Sequence, residues 1–329
     1  MASTPSYPGS DEREGGTELL VPREVPLGGP RAMSVRRTLP QRHRSLIGAW
    51  CFLDHYGPDL VHETGGMRVA PHPHTGLQTV SWLFDGEIEH RDSAGNVAMV
   101  RPGEVNLMTA GRGISHSEVT TDATAVLHGA QLWVALPDSA RHSDPAFEHY
   151  APREIGGDGW RARVFLGSLL GETSPVATFT PLLGAELVLD PGAELVVPVE
   201  ETHEHGVLVD VGSVSVDGLD AKVADLAFVP AGPREVALRA GDDGCRVLVL
   251  GGPPFGEPIV MWWNFVGRSH EEVAAYRAEW QEQITDPATG EVVGDSRRVA
   301  PGRFGVVPDQ PLEPIPAPVL PNARLRERR

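Results

Sequence analysis

Residues that interrupt regular backbone structure recur throughout this chain. Its 329 residues include 37 glycines and 30 prolines. Glycine favours turns and proline ends helices, so long helices have little room to form. The runs between these residues are short and rich in β-branched and aromatic side chains, as at residues 79–84 and 126–136, which is typical of strands. The pattern predicts an all-β fold of short antiparallel strands, arranged as a sandwich or barrel.

The strand pattern occurs twice, which predicts two domains. Residues 1–30 are polar and rich in glycine and proline, so we expect a flexible leader. A first barrel is expected over residues 31–138 and a second over residues 161–300, with a polar linker at 139–160 between them. Residues 301–329 are expected to form a Pro-rich tail without strands or helices. Each half has an H-x-H pair followed by a glycine turn, which suggests a duplicated barrel.

A single short helix is predicted at the end of the second barrel. Ser269 and Glu272 form a capping box, in which the two side chains satisfy exposed backbone N–H groups. The helix is expected over residues 271–283, where apolar residues recur at helical spacing: Val273, Tyr276, Trp280 and Ile284.

Charge and cysteine content narrow the class of protein. The net charge is -17, and such an acidic surface repels phosphates, so no direct nucleic-acid binding is expected. The arginines of residues 324–329 are interpreted as a solvated terminus. Two cysteines fit a reducing compartment, and no run is apolar enough for a signal peptide or a membrane span. We therefore expect a cytoplasmic protein that does not enter a membrane.

Two short polar motifs predict a metal site. His72 and His74 are two residues apart, so on an extended segment both imidazoles point to the same face. His116 and Glu118 repeat this spacing beside a glycine-rich turn. Three nitrogens and one carboxylate suit one divalent ion, such as Fe(II), Mn, Cu(II), Ni or Zn, and leave coordination positions open. The alternative is that both pairs are surface residues of ordinary strands.

The same motifs resemble a known family. The blocks HPHTGLQTV (residues 72–80), GEIEHRDS (86–93), RPGEVNLMTAGRGISHSE (101–118) and HGAQLWV (128–134) are similar to the conserved blocks of pirins. Residues 256–260 resemble the second half of pirins more loosely. The resemblance implies a bicupin, that is, two tandem cupin-type antiparallel β-barrels, with the metal in the N-terminal barrel. It also assigns the ligand roles to His72, His74, His116 and Glu118.

The resemblance implies a chemistry as well. Some pirins are quercetin 2,3-dioxygenases, so the chain is expected to use one Fe(II) ion to cleave a small flavonol-like aromatic with O2. Glu118 would then be both a ligand and the catalytic base. The alternative is a non-enzymatic iron-dependent redox sensor or regulator that acts through a protein partner, as eukaryotic pirins act in transcription. Gln78 departs from the carboxylate that many cupins place there, so Glu118 is expected to be the only anionic ligand.

A few other polar residues have open interpretations. His203 and His205, with Glu235, either bind a second ion in the second barrel or are relic or surface residues. His55 either lines the mouth of the cavity or belongs to a structural turn. His90 and His128 are expected to be hydrogen-bonded within strands, because a lone histidine is more often structural than a ligand.

Overall fold

Strands are the main regular structure in this computed structural model, which describes residues 16–26 and 33–329. In chain order, the strands are β1 (Glu18–Leu20), β2 (Arg23–Pro26), β3 (Ser34–Leu39), β4 (Trp50–Leu60), β5 (Arg68–His74), β6 (Leu77–Asp85), β7 (Ile88–Asp92), β8 (Val97–Val100), β9 (Val105–Thr109), β10 (Ile114–Thr120), β11 (Val126–Ala135), β12 (Ala146–Tyr150), β13 (Ile155–Gly157), β14 (Trp160–Leu166), β15 (Ser168–Leu169), β16 (Glu172–Thr173), β17 (Leu183–Leu189), β18 (Glu194–Pro198), β19 (Glu204–Val216), β20 (Leu219–Lys222), β21 (Leu226–Val229), β22 (Glu235–Gly252), β23 (Val260–Trp262) and β24 (Phe265–Gly267). The helices are α1 (Val61–Thr64), α2 (His270–Ile284) and a 3-10 turn (Ser296–Arg298). The predicted all-β class is confirmed.

The first barrel packs a seven-stranded sheet against a four-stranded sheet. The strand orders are β12-β9-β6-β11-β4-β3-β2 and β5-β10-β7-β8, and all pairs are antiparallel. Apolar residues from both sheets, such as Tyr56, Val69, Leu83 and Ile88, form one buried cluster. The β-branched and aromatic runs seen in the sequence therefore fill the space between two sheets, as the period-two pattern requires.

The second barrel is formed by a nine-stranded sheet with the order β1-β21-β19-β22-β17-β14-β13, to which β18 and β20 add. Strand β22 is 18 residues long. It pairs with β18 through residues 235–239 and with β17 through residues 245–251, so it takes part in two walls of the barrel. Its inward-facing residues join a core of valines and leucines.

The two barrels share a core. Trp50 and Trp82 from the first barrel pack in one buried cluster with Phe165 and Phe228 from the second. Both indoles also donate hydrogen bonds across the boundary: Trp50 Nε1 to the carbonyl of Gly251 (3.2 Å) and Trp82 Nε1 to Glu186 (2.9 Å). Buried indole N–H groups need such partners, so these bonds hold the barrels in one arrangement.

Some of the predicted segments have more structure than the sequence indicated. The expectation of a flexible leader is wrong for β1 and β2, since β1 pairs with β21 of the second barrel and β2 with β3 of the first. The rest of that leader, residues 1–15 and 27–30, lies outside the described residues. The expected linker at 139–160 contains β12, which extends a sheet of the first barrel by pairing with β9. Edge pairing satisfies backbone groups that polar loops would leave to water. The domain boundaries themselves stay predictions.

The end of the chain returns to the first barrel. Helix α2 extends one residue beyond the predicted range at each end and has the predicted cap, with the Ser269 side chain accepting a hydrogen bond from the Glu272 backbone N–H. Phe304 from the Pro-rich tail is fully buried against the helix and β24. The Ile315 N–H donates to the carbonyl of Pro71, next to the predicted metal ligands. Within the described residues, no helix is long and apolar enough to cross a membrane.

Candidate metal centre

The predicted ligands lie on two neighbouring strands of the four-stranded sheet. His72 and His74 are on β5, and His116 and Glu118 are on β10. The two strands are antiparallel, with His116 directly opposite His72. Residues opposite each other in an antiparallel pair share a face, and so do residues i and i+2 of one strand. The H-x-H and H-x-E spacings therefore aim all four side chains toward the barrel interior.

The structure brings three of these side chains together. Each of His72, His74 and His116 offers one nitrogen, and these nitrogens all lie within 4.8 Å of one another. His74 Nε2 is 3.0 Å from His116 Nε2, and the rings of His72 and His116 have centroids 4.4 Å apart. All three residues are buried.

Burial controls the charge of these imidazoles. It lowers the pKa of His72 to about 4 and the pKa values of His74 and His116 well below their ordinary range. Neutral imidazole is the form that binds metals. The Nδ1 of His72 is 2.9 Å from the carbonyl of Ala70, which can only accept, so this nitrogen carries the proton and Nε2 keeps its lone pair. The donor set thus fits a divalent transition-metal ion.

Glu118 is buried beside His116 but lies at the edge of the three-imidazole group. It forms a separate group with His90 and His116, in which the ligand atoms are within 4.8 Å. Ser81 Oγ lies 3.4 Å from Glu118 Oε1 and 2.9 Å from Gln131 Oε1. Burial raises the pKa of Glu118. The three imidazoles lie closest to one another, and the assignment of all four residues to one ion stays a prediction.

An apolar wall lies beside His74. The rings of Phe52 and Trp133 are stacked with centroids 3.9 Å apart, and Trp133 meets the His74 ring edge-on at 5.2 Å. Gln78 is also buried, and its amide donates to Thr109 Oγ1 at 2.9 Å. Its amide nitrogen is thus hydrogen-bonded to a side chain of the neighbouring strand β9.

Sequence reasoning missed two buried polar clusters. His90 and Asp92 lie on β7, directly across from Glu118 and His116, and the H-x-D spacing beside an H-x-E strand was the available signal. The other cluster joins His55 and His128 of the first barrel to Asp210 of the second. No local motif marks it, because its members lie on three strands that are far apart in the sequence.

The second barrel offers a weaker case for an ion. The rings of His203 and His205 have centroids 6.0 Å apart, and Glu235 is exposed. Among residues 16–26 and 33–329, these three side chains do not form a group with ligand atoms within 4.8 Å. The described part of the chain thus favours the interpretation of relic or surface residues.

Fold and site together define a bicupin with a candidate metal centre in its first barrel. A family model described as Pirin matches residues 32–134, and one described as Pirin C-terminal cupin domain matches residues 184–285. A protein from Pseudomonas aeruginosa, provisionally named a quercetin 2,3-dioxygenase, is 44% identical over 267 residues, which cover 80% of this chain and 84% of that protein. The chain belongs to the pirin family.

Two further comparisons agree with this result. A pirin-like protein from Caulobacter vibrioides is 37% identical over 257 residues, covering 75% of this chain and 88% of that protein. The crystal structure of a quercetin 2,3-dioxygenase from Acinetobacter baumannii is 37% identical, with a TM-score of 0.84 over 95% of this chain and 98% of that chain. The match spans both barrels, which confirms the bicupin fold.

Proposed function

We propose that this chain is a metal-dependent dioxygenase of the quercetin 2,3-dioxygenase type, which cleaves a flavonol or a similar enolisable aromatic with O2. The observation that carries the proposal is the convergence of His72, His74 and His116 inside the first barrel. The names of the relatives from Pseudomonas aeruginosa and Acinetobacter baumannii support the same reaction class.

The proposed cofactor is one Fe(II) ion, held by His72, His74, His116 and Glu118. When bound, the ion would supply Lewis acidity toward a substrate oxygen and electron exchange with O2. The three imidazoles are neutral and buried, so they offer lone pairs without adding charge. Glu118 contributes the one negative charge. A reducing compartment such as the cytoplasm suits Fe(II) and the two buried, unpaired cysteines of this chain.

Glu118 is also the proposed catalytic base. The Ser81 hydroxyl is 3.4 Å from Glu118 Oε1 but only 2.9 Å from Gln131 Oε1, so the carboxylate oxygens have capacity to accept a further proton. Burial of the carboxylate disfavours its charged form, which makes it a stronger base than an exposed glutamate. In the proposed reaction it takes the proton of the substrate hydroxyl and holds it at a carboxylate oxygen.

The aromatic wall beside His74 would orient the substrate. The stacked rings of Phe52 and Trp133 present flat apolar surface close to the imidazoles. A flat aromatic substrate gains by packing against such rings in an offset or edge-to-face arrangement. The same rings keep water from that side of the centre.

The first test is metal content in protein purified without a histidine tag and reconstituted anaerobically with Fe(II). One iron per chain is expected, and His116→Ala should abolish it. His205→Ala, which removes a buried histidine from the second barrel, is the matched control and should keep the iron. Failure of the parent protein to bind any metal would refute the proposed centre.

The second test is O2 consumption by the iron-loaded protein with quercetin. Turnover should be lost in His116→Ala and strongly reduced in Glu118→Gln, since the amide cannot accept the proton in the same way. Iron binding without turnover of any flavonol would instead favour the redox-sensing regulator. The next step would then be to search for a protein partner that binds differently to the oxidised and the reduced forms of the iron-loaded protein.

A further inference from the structure

The strand on the other side of β10 carries a second pair of polar residues that points at the metal centre. In the β10–β7 register, His90 is opposite Glu118 and Asp92 is opposite His116. Opposite residues of an antiparallel pair share a face, so His90 and Asp92 enter the barrel interior beside the predicted ligands. Their exposed fractions are 3% and 0%.

These side chains form a line of hydrogen bonds that ends on a predicted ligand. His90 Nε2 is 3.4 Å from Asp92 Oδ2, and His90 Nδ1 is 3.3 Å from His116 Nδ1. The other nitrogen of His116, Nε2, lies 3.0 Å from His74 Nε2. His90 thus contacts the nitrogen of His116 that faces away from the three-imidazole group.

Asp92 determines which nitrogen of His90 carries the proton. Its Oδ1 accepts hydrogen bonds from the backbone N–H groups of Ala94 and Asn96, and the Asn96 amide donates to both of its oxygens. A carboxylate surrounded by donors in this way is ionised and only accepts. The proton in the His90–Asp92 hydrogen bond therefore belongs to His90 Nε2.

For the neutral form of His90, the positions of the remaining protons follow from this. A neutral His90 with its proton on Nε2 has a lone pair on Nδ1, which can only accept. The proton between the two Nδ1 atoms then belongs to His116, and His116 Nε2 keeps its lone pair for a metal ion. Second-shell partners of metal-bound histidines commonly set the tautomer in this manner.

We propose that His90 is a positioning residue of the metal centre, which together with Asp92 holds His116 in the tautomer that leaves Nε2 free to bind the ion. The inference rests on the proposed metal centre. It differs from the expectation that His90 is hydrogen-bonded only within its strand, and from a role as a direct ligand in the group with His116 and Glu118. The packing of its ring against Phe147, with centroids 4.9 Å apart, keeps the imidazole in place.

The tautomer can be measured without any metal. In the metal-free protein labelled with 15N-histidine, the imidazole nitrogen shifts should identify His116 as the Nδ1–H tautomer. His90→Leu should give a mixture of tautomers, whereas His90→Gln should restore the Nδ1–H form. Glutamine can replace both functions, because its carbonyl accepts from His116 and its amide donates to Asp92. A parent protein with His116 in the Nε2–H tautomer would overturn the proposal even if no variant folds.

Metal affinity provides the second readout, with Co(II) as the probe because its visible absorption reports coordination. We expect His90→Leu to bind Co(II) about 10–100-fold more weakly than the parent protein. His90→Gln should recover most of the affinity with an unchanged spectrum, and His205→Leu is the control for loss of a buried imidazole. Parent-like affinity in His90→Leu, or a loss in His90→Gln as large as in His116→Ala, would overturn the positioning role. If the parent protein binds no Co(II), the proposed function fails, whereas the tautomer measurement still decides whether the hydrogen-bond line exists.

Discussion

The buried contact of Asp210 with three basic side chains is expected to stabilise the arrangement of the two barrels. The Oδ1 of Asp210 lies 2.7 Å from His55 Nε2 and 2.6 Å from His128 Nε2, both on the first barrel. Its Oδ2 accepts a hydrogen bond of 2.5 Å from Arg246 Nε. Although burial alone raises the pKa of Asp210, the close imidazoles of His128 and His55, the latter as a hydrogen-bond partner, lower it below its ordinary value. The carboxylate is therefore ionised and its charge is balanced by its neighbours.

The replacement Asp210→Ala should lower the free energy of unfolding by about 3 kcal/mol. Removing one partner of a buried ion pair typically costs about 3–5 kcal/mol, because the other charge is left without compensation. The lower end applies here, since the Arg246 side chain is 27% exposed and water can solvate part of its charge. For a chain of 329 residues, a loss of this size corresponds to a fall in Tm of roughly 4 °C.

Urea unfolding followed by tryptophan fluorescence would measure this loss, because Trp50 and Trp82 lie in the core shared by the barrels. The matched control is Glu201→Ala, which removes a carboxylate paired with Arg234 on the surface and should leave the free energy of unfolding almost unchanged. An Asp210→Ala loss no larger than that of the control would refute the argument that this carboxylate joins the barrels. Asp210→Asn keeps the shape of the side chain and is expected to give an intermediate loss.

Two further predictions concern the backbone and the histidines. Gly76→Ala should destabilise the protein strongly in thermal unfolding, because φ is +66° and a Cβ would lie 2.3 Å from the Val266 carbonyl oxygen. The control is Gly290→Ala, where φ is +73° but the space around a Cβ is open, so only the smaller backbone strain is expected. Equal losses of stability in the two variants would contradict this argument. In the metal-free protein, stability should fall from pH 6.5 toward pH 4, because burial holds the pKa of His72 and of His205 at about 4 while the unfolded chain binds those protons near pH 6.5. Because the pKa is lower in the folded state, the contribution of each histidine to the free energy of unfolding is complete above pH 6.5. Between pH 6.5 and pH 4 each contribution is lost at about 1.4 kcal/mol per pH unit. Urea unfolding at several pH values would measure the free energies of unfolding of the parent protein and of His205→Gln. The difference between these free energies should change with pH by the amount expected for one proton. A difference that does not change with pH would count against the prediction.

Local patterns predicted the features that depend on the period of a strand. His72, His74, His116 and Glu118 could be placed on one face, because residues i and i+2 of any strand share a face. The pairing of β1 with β21 was not predictable in this way, since it depends on which sheet edge in the folded protein is free. The Asp210 cluster was hidden for a similar reason: His55 and His128 become neighbours of Asp210 only after the two barrels pack together.

Strand β10 explains why a long C-terminal segment matters to a site located in the first barrel. His116 and Glu118 point inward, so Ser115 and Ser117 point to the opposite face of the same strand. Ser115 Oγ donates to the carbonyl of Phe304 at 2.9 Å, and the Gln310 amide donates to Ser117 Oγ at 3.0 Å. Both partners belong to the Pro-rich tail, which follows the second barrel. The tail therefore holds the outer face of the strand whose inner face carries two of the predicted ligands, and the position of those ligands depends on this C-terminal segment.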